Sequence, residues 1–294
     1  MKRQSTHLTI LALLASCAAV LAGPAPGPSG KKTVTPVEEE DIVVHPITSP
    51  YWNEDSFITS DLRPVFVQHN FPGDVLGGHA NVSAAQLRIR LTDSLQLVAY
   101  KDGWVNIDSP GLKANGWNDI ALGLKWAFYQ NEAAHLHAAA GIGYEFASGD
   151  DNVLQEDDEL RLWLSLNKGF GKLHLGATVN YLKSMGNGDD ILGNSDTLSW
   201  HLHADYQVCR WFSSVLEVNG YHVVNESQGP VTPFSGVDVA DLGGNRNENV
   251  ITAAAGVEFR PCHRFAVRAA YEVPLSDNVD LYGDRWTFSA VIKF

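Results

Sequence analysis

Ile120-Ala121-Leu122-Gly123-Leu124-Lys125-Trp126-Ala127-Phe128 separates into two faces at a period of two. Ile, Leu, Leu, Trp and Phe fall on one side; Ala, Gly, Lys and Ala fall on the other. Helical spacing would mix the two sets, whereas successive strand residues point to opposite faces. The same alternation recurs as Leu160, Leu162, Leu164 and Leu166 against Arg161, Trp163, Ser165 and Asn167. It recurs as Leu198, Trp200, Leu202, Ala204 and Tyr206 against Ser199, His201, His203 and Asp205. Trp286, Phe288, Ala290, Ile292 and Phe294 continue it to the last residue.

Extended along the chain, the pattern predicts about twelve strands, near 58–68, 81–91, 94–104, 117–129, 134–147, 159–168, 172–183, 196–207, 212–223, 249–260, 264–273 and 285–294. Each has the length that crosses a bilayer when tilted. Connections alternate between short, such as Thr92-Asp93-Ser94 and Gly169-Phe170-Gly171, and long, as at 69–80, 105–116, 148–158, 184–195, 224–248 and 274–284. Short–long alternation with an even strand count is the pattern of a transmembrane antiparallel up-and-down β-barrel with both termini periplasmic. A soluble sandwich has no need of it.

Composition agrees without deciding. The 294 residues are 45% hydrophobic with mean hydropathy −0.12, as lipid-facing and lumen-facing residues cancel in any window. After the first two dozen residues no apolar run is long enough for a helical span. A net charge of −13 argues against nucleic-acid binding.

The start of the chain reads as an export signal over 1–22, with Met1-Lys2-Arg3, an apolar core from Leu8 to Leu21 and a small-residue site before Gly23. Leu14-Ala15-Ser16-Cys17 also resembles a lipobox, which leaves lipidation at Cys17 as an alternative. Residues 23–57 read as a flexible N-terminal segment, periplasmic or lumenal, with 23–36 a linker and 37–57 semi-ordered, and 58–294 as the barrel. The expected location is the outer membrane of a Gram-negative-type cell. Expected partners are its lipid and lipopolysaccharide, small-molecule solutes, and the barrel-assembly machinery through the terminal Phe294.

If the apolar set meets lipid, the lumen is lined by Arg88, Arg90, Lys125, Glu145, Arg161, His174, His201, His203, Asp205, Glu217, Glu258, Arg268 and Glu272. Confined charges must be paired or hydrated. Hairpin register puts Glu145 near Arg161 and Glu258 near Arg268 as cross-strand ion pairs. Either a polar pore wall or a network stiffening a narrow barrel fits such a set. His201 and His203 share a face, but spacing fixes no third ligand, so no metal and no cofactor is expected. Cys209 and Cys262 lie in similar turns two strands apart, a candidate disulfide only if those turns lean together. No nucleophile elbow, zinc-protease motif or phosphate loop occurs, and Ser214 and His222 stand too far apart to hydrogen-bond, so no enzyme is expected.

One stretch carries a family likeness. Gly116-Trp117-Asn118-Asp119-Ile120-Ala121-Leu122-Gly123-Leu124-Lys125-Trp126 resembles a strand of the porin-like outer-membrane family named after the meta-pathway of phenol degradation. Phe146-Ala147-Ser148-Gly149-Asp150 follows in place of that family's usual Pro-Thr-Gly-Asp, and then Leu166-Asn167-Lys168-Gly169-Phe170-Gly171. The resemblance implies an outer-membrane channel, with small hydrophobic or aromatic compounds as the solutes suggested for some relatives. The alternative is a non-conducting structural or adhesive barrel.

Overall fold

The computed structural model describes residues 43–74, 76–153, 158–185, 195–225, 249–277, 279 and 281–294. The signal region, Cys17, the 23–36 linker and much of the acidic long loops lie outside them. Fourteen strands form one antiparallel sheet: β1 (Asp61–Asn70), β2 (His79–Arg90), β3 (Leu95–Lys101), β4 (Gly103–Asp108), β5 (Lys113–Trp117), β6 (Ile120–Asn131), β7 (Leu136–Phe146), β8 (Glu159–Phe170), β9 (Leu173–Ser184), β10 (Asp196–Cys209), β11 (Phe212–Asn225), β12 (Asn249–Cys262), β13 (Phe265–Pro274) and β14 (Asp284–Lys293). β3 and β4 both pair with β2, and β5 and β6 continue one another on the far side, so the fourteen make twelve staves. The ring closes because β1 pairs with both β2 and β14.

The alternation quoted first is what curves this sheet around a lumen. Ile120, Leu122, Leu124, Trp126 and Phe128 are exposed on the outer face, while Ala121, Lys125 and Ala127 are buried inside. Leu162, Leu164, Leu202, Leu216, Phe259, Trp286 and Phe288 extend the exposed apolar belt around the ring. Such a belt over a polar interior is the inside-out arrangement of a membrane barrel.

Two boundaries differ from the sequence reading. The stretch 105–116 is no loop: β4 and β5 form a hairpin that lengthens two staves. Val105 and Ile107 are buried while Trp104 and Trp117 are exposed, so the period of two runs on past the bilayer length. The first stave begins at Asp61 rather than near 58. The short turns are as tight as expected. Phe170 pairs with Leu173 across Gly171-Lys172, with Gly171 at φ 60, a left-handed value that favours glycine in a two-residue hairpin turn.

The lumen wall is shaped by close approach on β6 and β7. Trp163 lies against Gly141, its cross-strand partner, and a Cβ there would fall inside the indole; Gly123 meets the same ring, and Gly143 meets Tyr100. Gly141→Ala is therefore expected to lower barrel stability by about 1–3 kcal/mol through overpacking. The check is the temperature at which the detergent-solubilised barrel loses its compact migration on gels. An unchanged temperature would show that Trp163 can move aside freely.

Candidate functional site: a plugged lumen

The chain from Val43 to Phe57 is not a loose tail. Among its residues Val44, Ile47, Tyr51, Trp52, Glu54 and Asp55 are each buried, inside the ring of staves. It enters and leaves at the short-turn end. Val43 offers its carbonyl to Arg260 Nη2 (3.0 Å), two residues from the end of β12, and Ser56 N donates to Asn167 (2.8 Å), close to the β8–β9 turn. Between these points Pro46 and Pro50 exclude helix before them. A tight turn reverses the path at Ser49, whose φ is 49; the amides of Trp52 and Asn53 both donate to its carbonyl.

The wall holds this plug largely through its backbone. Glu217 accepts from Ile47 N (2.9 Å), Thr48 N (2.7 Å) and Thr48 Oγ1 (2.5 Å). Arg161 donates to the carbonyls of Tyr51 and Trp52 and stacks on the rings of Tyr51, Tyr100 and Trp163. Arg268 donates to the carbonyls of His45 and Pro46. Gln86 donates to that of Pro50, and Thr178 and Ser165 to that of Glu54. A chain without a sheet ladder must find partners for its buried peptide groups elsewhere, and here it finds wall side chains. Tyr51 Oη donates to Glu145 (2.8 Å) and Glu159 (3.3 Å).

The plug's own charges meet a cationic wall. Arg88 forms two hydrogen bonds to the Glu54 carboxylate, Nε to Oε1 at 3.0 Å and Nη2 to Oε2 at 2.5 Å, and Lys125 Nζ lies 2.8 Å from Oε1. Asp55 stands 3.4 Å from Lys125 and 3.7 Å from Arg63, and takes His45 Nδ1 at 2.7 Å. Burial alone would raise the Glu54 carboxyl, but Arg88 and Lys125 outweigh it and hold it at about 2. Burial likewise opposes the Asp55 charge, and Lys125, His45 and Arg63 overcome it, keeping the carboxyl well below the usual range. Burial, helped by Arg63, pushes the His45 imidazole down to about 3.

Toward the long-loop end the lumen changes character. Val65, Val67, Phe71, Ala80, Val82, Val105 and Ile107 form an apolar cluster with Val153 and Leu281, which fold in from the loops. This apolar cluster lies beyond the plug, on the side of the long-loop mouth formed by β1, β2, β4 and β5.

Of the thirteen lumen candidates, Arg88, Lys125, Glu145, Arg161, His174, His201, His203, Asp205, Glu217, Glu258, Arg268 and Glu272 are buried inside the barrel. Arg90 is not: it shares Arg88's parity but sits at the end of β2, half exposed and paired with Asp93 in the turn. The two expected ion pairs also differ. Glu145 stands opposite Glu159, and Arg161, opposite Gly143, turns to Asn180 and the plug. Glu258 and Arg268 are register partners, yet Glu258 pairs with Arg260 while Arg268 reaches the plug and Ser289. The plug's carbonyls outcompeted the cross-strand carboxylates.

His174, Asp205, His203 and Glu217 form a hydrogen-bonded row that ends on Thr48. No metal-ligating group forms among the described residues. Cys209 and Cys262 are both free and exposed, so the candidate disulfide is not made. β11 separates their turns, and two strand spacings, roughly 10 Å, exceed disulfide reach.

Sequence reasoning missed Glu54, Asp55, Asp61 and Arg63. A signal existed: Tyr51-Trp52-Asn53-Glu54-Asp55 sets two large aromatics and an acidic pair in a stretch with no strand period.

A closed twelve-stave barrel with an apolar exterior and a polar, plugged interior belongs to the outer-membrane channel type of fold. Solved structures agree. The crystal structure of an outer membrane channel from Pseudomonas putida F1 matches at TM-score 0.61 and 15% identity, over 89% of this chain and 100% of that one. A KdgM porin in complex with disordered oligogalacturonate matches at TM-score 0.50 and 9% identity, over 80% and 99%. At these identities the likeness establishes the barrel fold. No family model and no curated relative matches the sequence, so the likeness to the phenol meta-pathway family rests on its short motifs.

Proposed function

We propose that this protein is an outer-membrane channel for passive diffusion of small solutes, held shut by Val43–Phe57. One observation carries the reading: the wall invests its polar side chains in the plug's carbonyls, amides and carboxylates. A wall of Glu217, Arg161, Arg88, Lys125 and Arg268 that loses the plug can be solvated by water, as a permanently packed apolar core cannot. The plug also enters and leaves at one mouth, so it can withdraw without threading.

In this reading the apolar belt meets lipid and lipopolysaccharide, the short turns and both termini face the periplasm, and the 1–22 segment directs export. Phe294, whose amide closes onto Ser60 (3.1 Å), is the residue offered to the assembly machinery. The chain is not an enzyme. Ser199, His201 and Asn219 do form a hydrogen-bonded row, Ser199 Oγ to His201 Nε2 at 3.0 Å and His201 Nδ1 to Asn219 at 2.8 Å. The row is fully buried and Asn180 already donates to Ser199 Oγ, which leaves no approach for a carbonyl substrate.

The test is planar-bilayer recording of the full chain beside a form lacking 43–57, with compact gel migration confirming that each barrel is folded. Conductance that is rare in the full chain and sustained in the shortened one is expected. A folded, shortened barrel that stays silent across several salts would instead favour a structural barrel closed by its apolar cluster.

A further inference from the structure

The wall around Glu54 and Asp55 has a charge that only a ligand or the plug can balance. Arg63, Arg88 and Lys125 converge there, all buried, and among the described residues the wall carboxylate paired with them is Asp61, held by Arg63 at 2.7 Å and 3.2 Å and 4.0 Å from Arg88. The wall's share is thus three cations to one anion. Glu54 and Asp55, from the plug, supply the two missing negative charges. The Glu54 carboxylate receives three charge-assisted hydrogen bonds, two from Arg88 and one from Lys125, the fork-and-point geometry of carboxylate recognition. Asp55 sits between Lys125 and Arg63, a second carboxylate position one residue away.

Withdrawal of the plug takes both carboxylates from Lys125 and leaves Arg63 and Arg88 with Asp61 alone between them. Uncompensated cations in a confined lumen are costly, so plug exit is coupled to entry of whatever anion replaces it. Chloride offers no fork match and no second charge. A monocarboxylate fills only the Arg88 position. A short aliphatic dicarboxylate fills both.

We propose that Arg88, Lys125 and Arg63 form a binding site for small dicarboxylate solutes, and that the plug's Glu54-Asp55 pair occupies it in the solute's place. The plug is then a tethered competitor, and a dicarboxylate opens the channel by taking its seat. This rests on the channel reading above.

Two measurements separate the site from the channel. The first is titration calorimetry of succinate, acetate and sodium chloride, at matched ionic strength, into the full chain carrying Glu54→Ala and Asp55→Ala. Succinate is expected to bind with one site per chain and at least tenfold more tightly than acetate, and to lose that binding when Arg88→Met and Lys125→Met are added. The second uses the unaltered chain, so it does not depend on any variant folding. Its open probability in disodium succinate is expected to exceed that in sodium chloride at least tenfold. Succinate binding no more tightly than acetate or chloride overturns the site even if the chain conducts. Selective binding with no current in any salt keeps the site and removes the channel.

Discussion

Replacing Glu54 with alanine is expected to shift the plug from seated to released by about two to three and a half orders of magnitude while leaving the ring of staves intact. The substitution removes one partner from a buried ion triad, and leaves Arg88 and Lys125 facing each other in the seated state. Breaking a buried pair from one side costs about 3–5 kcal/mol, and every 1.4 kcal/mol is tenfold in population. The substitution adds no such penalty to the released state, where Glu54 is withdrawn in either form and the two cations meet the same water and entering anions. The effect should appear as a rise in single-channel open time and as new protease cleavage within 43–57. The midpoint of barrel unfolding should move little, because no strand pairing involves Glu54. Should cleavage and open time both stay at wild-type levels, the triad does not hold the plug. Adding Arg88→Met should recover part of the loss, as each cation removed leaves one fewer charge stranded.

Acid should release the plug too. The seated His45 stays neutral down to about pH 3, whereas a released His45 takes up a proton near 6.5. Protonation therefore favours release, and seating contributed by this group is present above pH 6.5 and lost as pH falls toward 3. Glu54 acts in the same direction in a lower window. Its seated carboxyl holds its charge to about 2 against an ordinary value of 4.5, so its contribution is present above 4.5 and lost below. Asp55, depressed likewise, adds to the loss in that lower range. One proton per chain gives about tenfold per pH unit. From pH 6.5 to 4.5 the seated fraction relative to the released one should thus drop about fiftyfold, and more steeply below. Conductance recorded at pH 7, 5.5 and 4.5 checks this. His45→Asn should flatten the upper window only. A flat response in the unaltered chain would mean that the imidazole is as free to protonate in the lumen as in water.

The strands were legible because each one repeats its own evidence. Nine residues from Ile120 to Phe128 state the period four times over, and the exposed belt and buried Lys125 follow from it directly. The polar lumen was legible for the same reason, since parity assigns a face to every charge. Parity does not say how far along the lumen a residue lies, which is why Arg90, one step beyond Arg88 on the same face, was placed inside when it sits at the mouth. The hairpin of β4 and β5 was read as a loop because Asn106, Asn115 and the Ser109-Pro110-Gly111 turn between them mask its period of two. The plug was legible only as one of two placements for 37–57, lumenal or periplasmic. Its order comes from contacts such as Thr48 to Glu217, 169 residues apart, and Arg268 to His45, 223 apart. Beyond the composition of Tyr51–Asp55, little local marks a segment held mainly by side chains from distant strands. The misassigned ion pairs follow from it, because Arg161 and Arg268 were paired with neighbouring strands before the plug's carbonyls were known to compete.

Closure between the first stave and the last has a bearing on how the molecule is made. β1 has no complete set of partners until β14, the final ten-residue strand, has been synthesised and laid beside it. Arg268 and Arg260, which grip the start of the plug, lie on the two staves shortly before that seam. The start of the segment ahead of β1 therefore gains its contacts to Arg260 and Arg268 late, when the last staves are in place. Stoppering and closing the cylinder thus share their last step, since the strands that grip the stopper's entry are those that adjoin the seam.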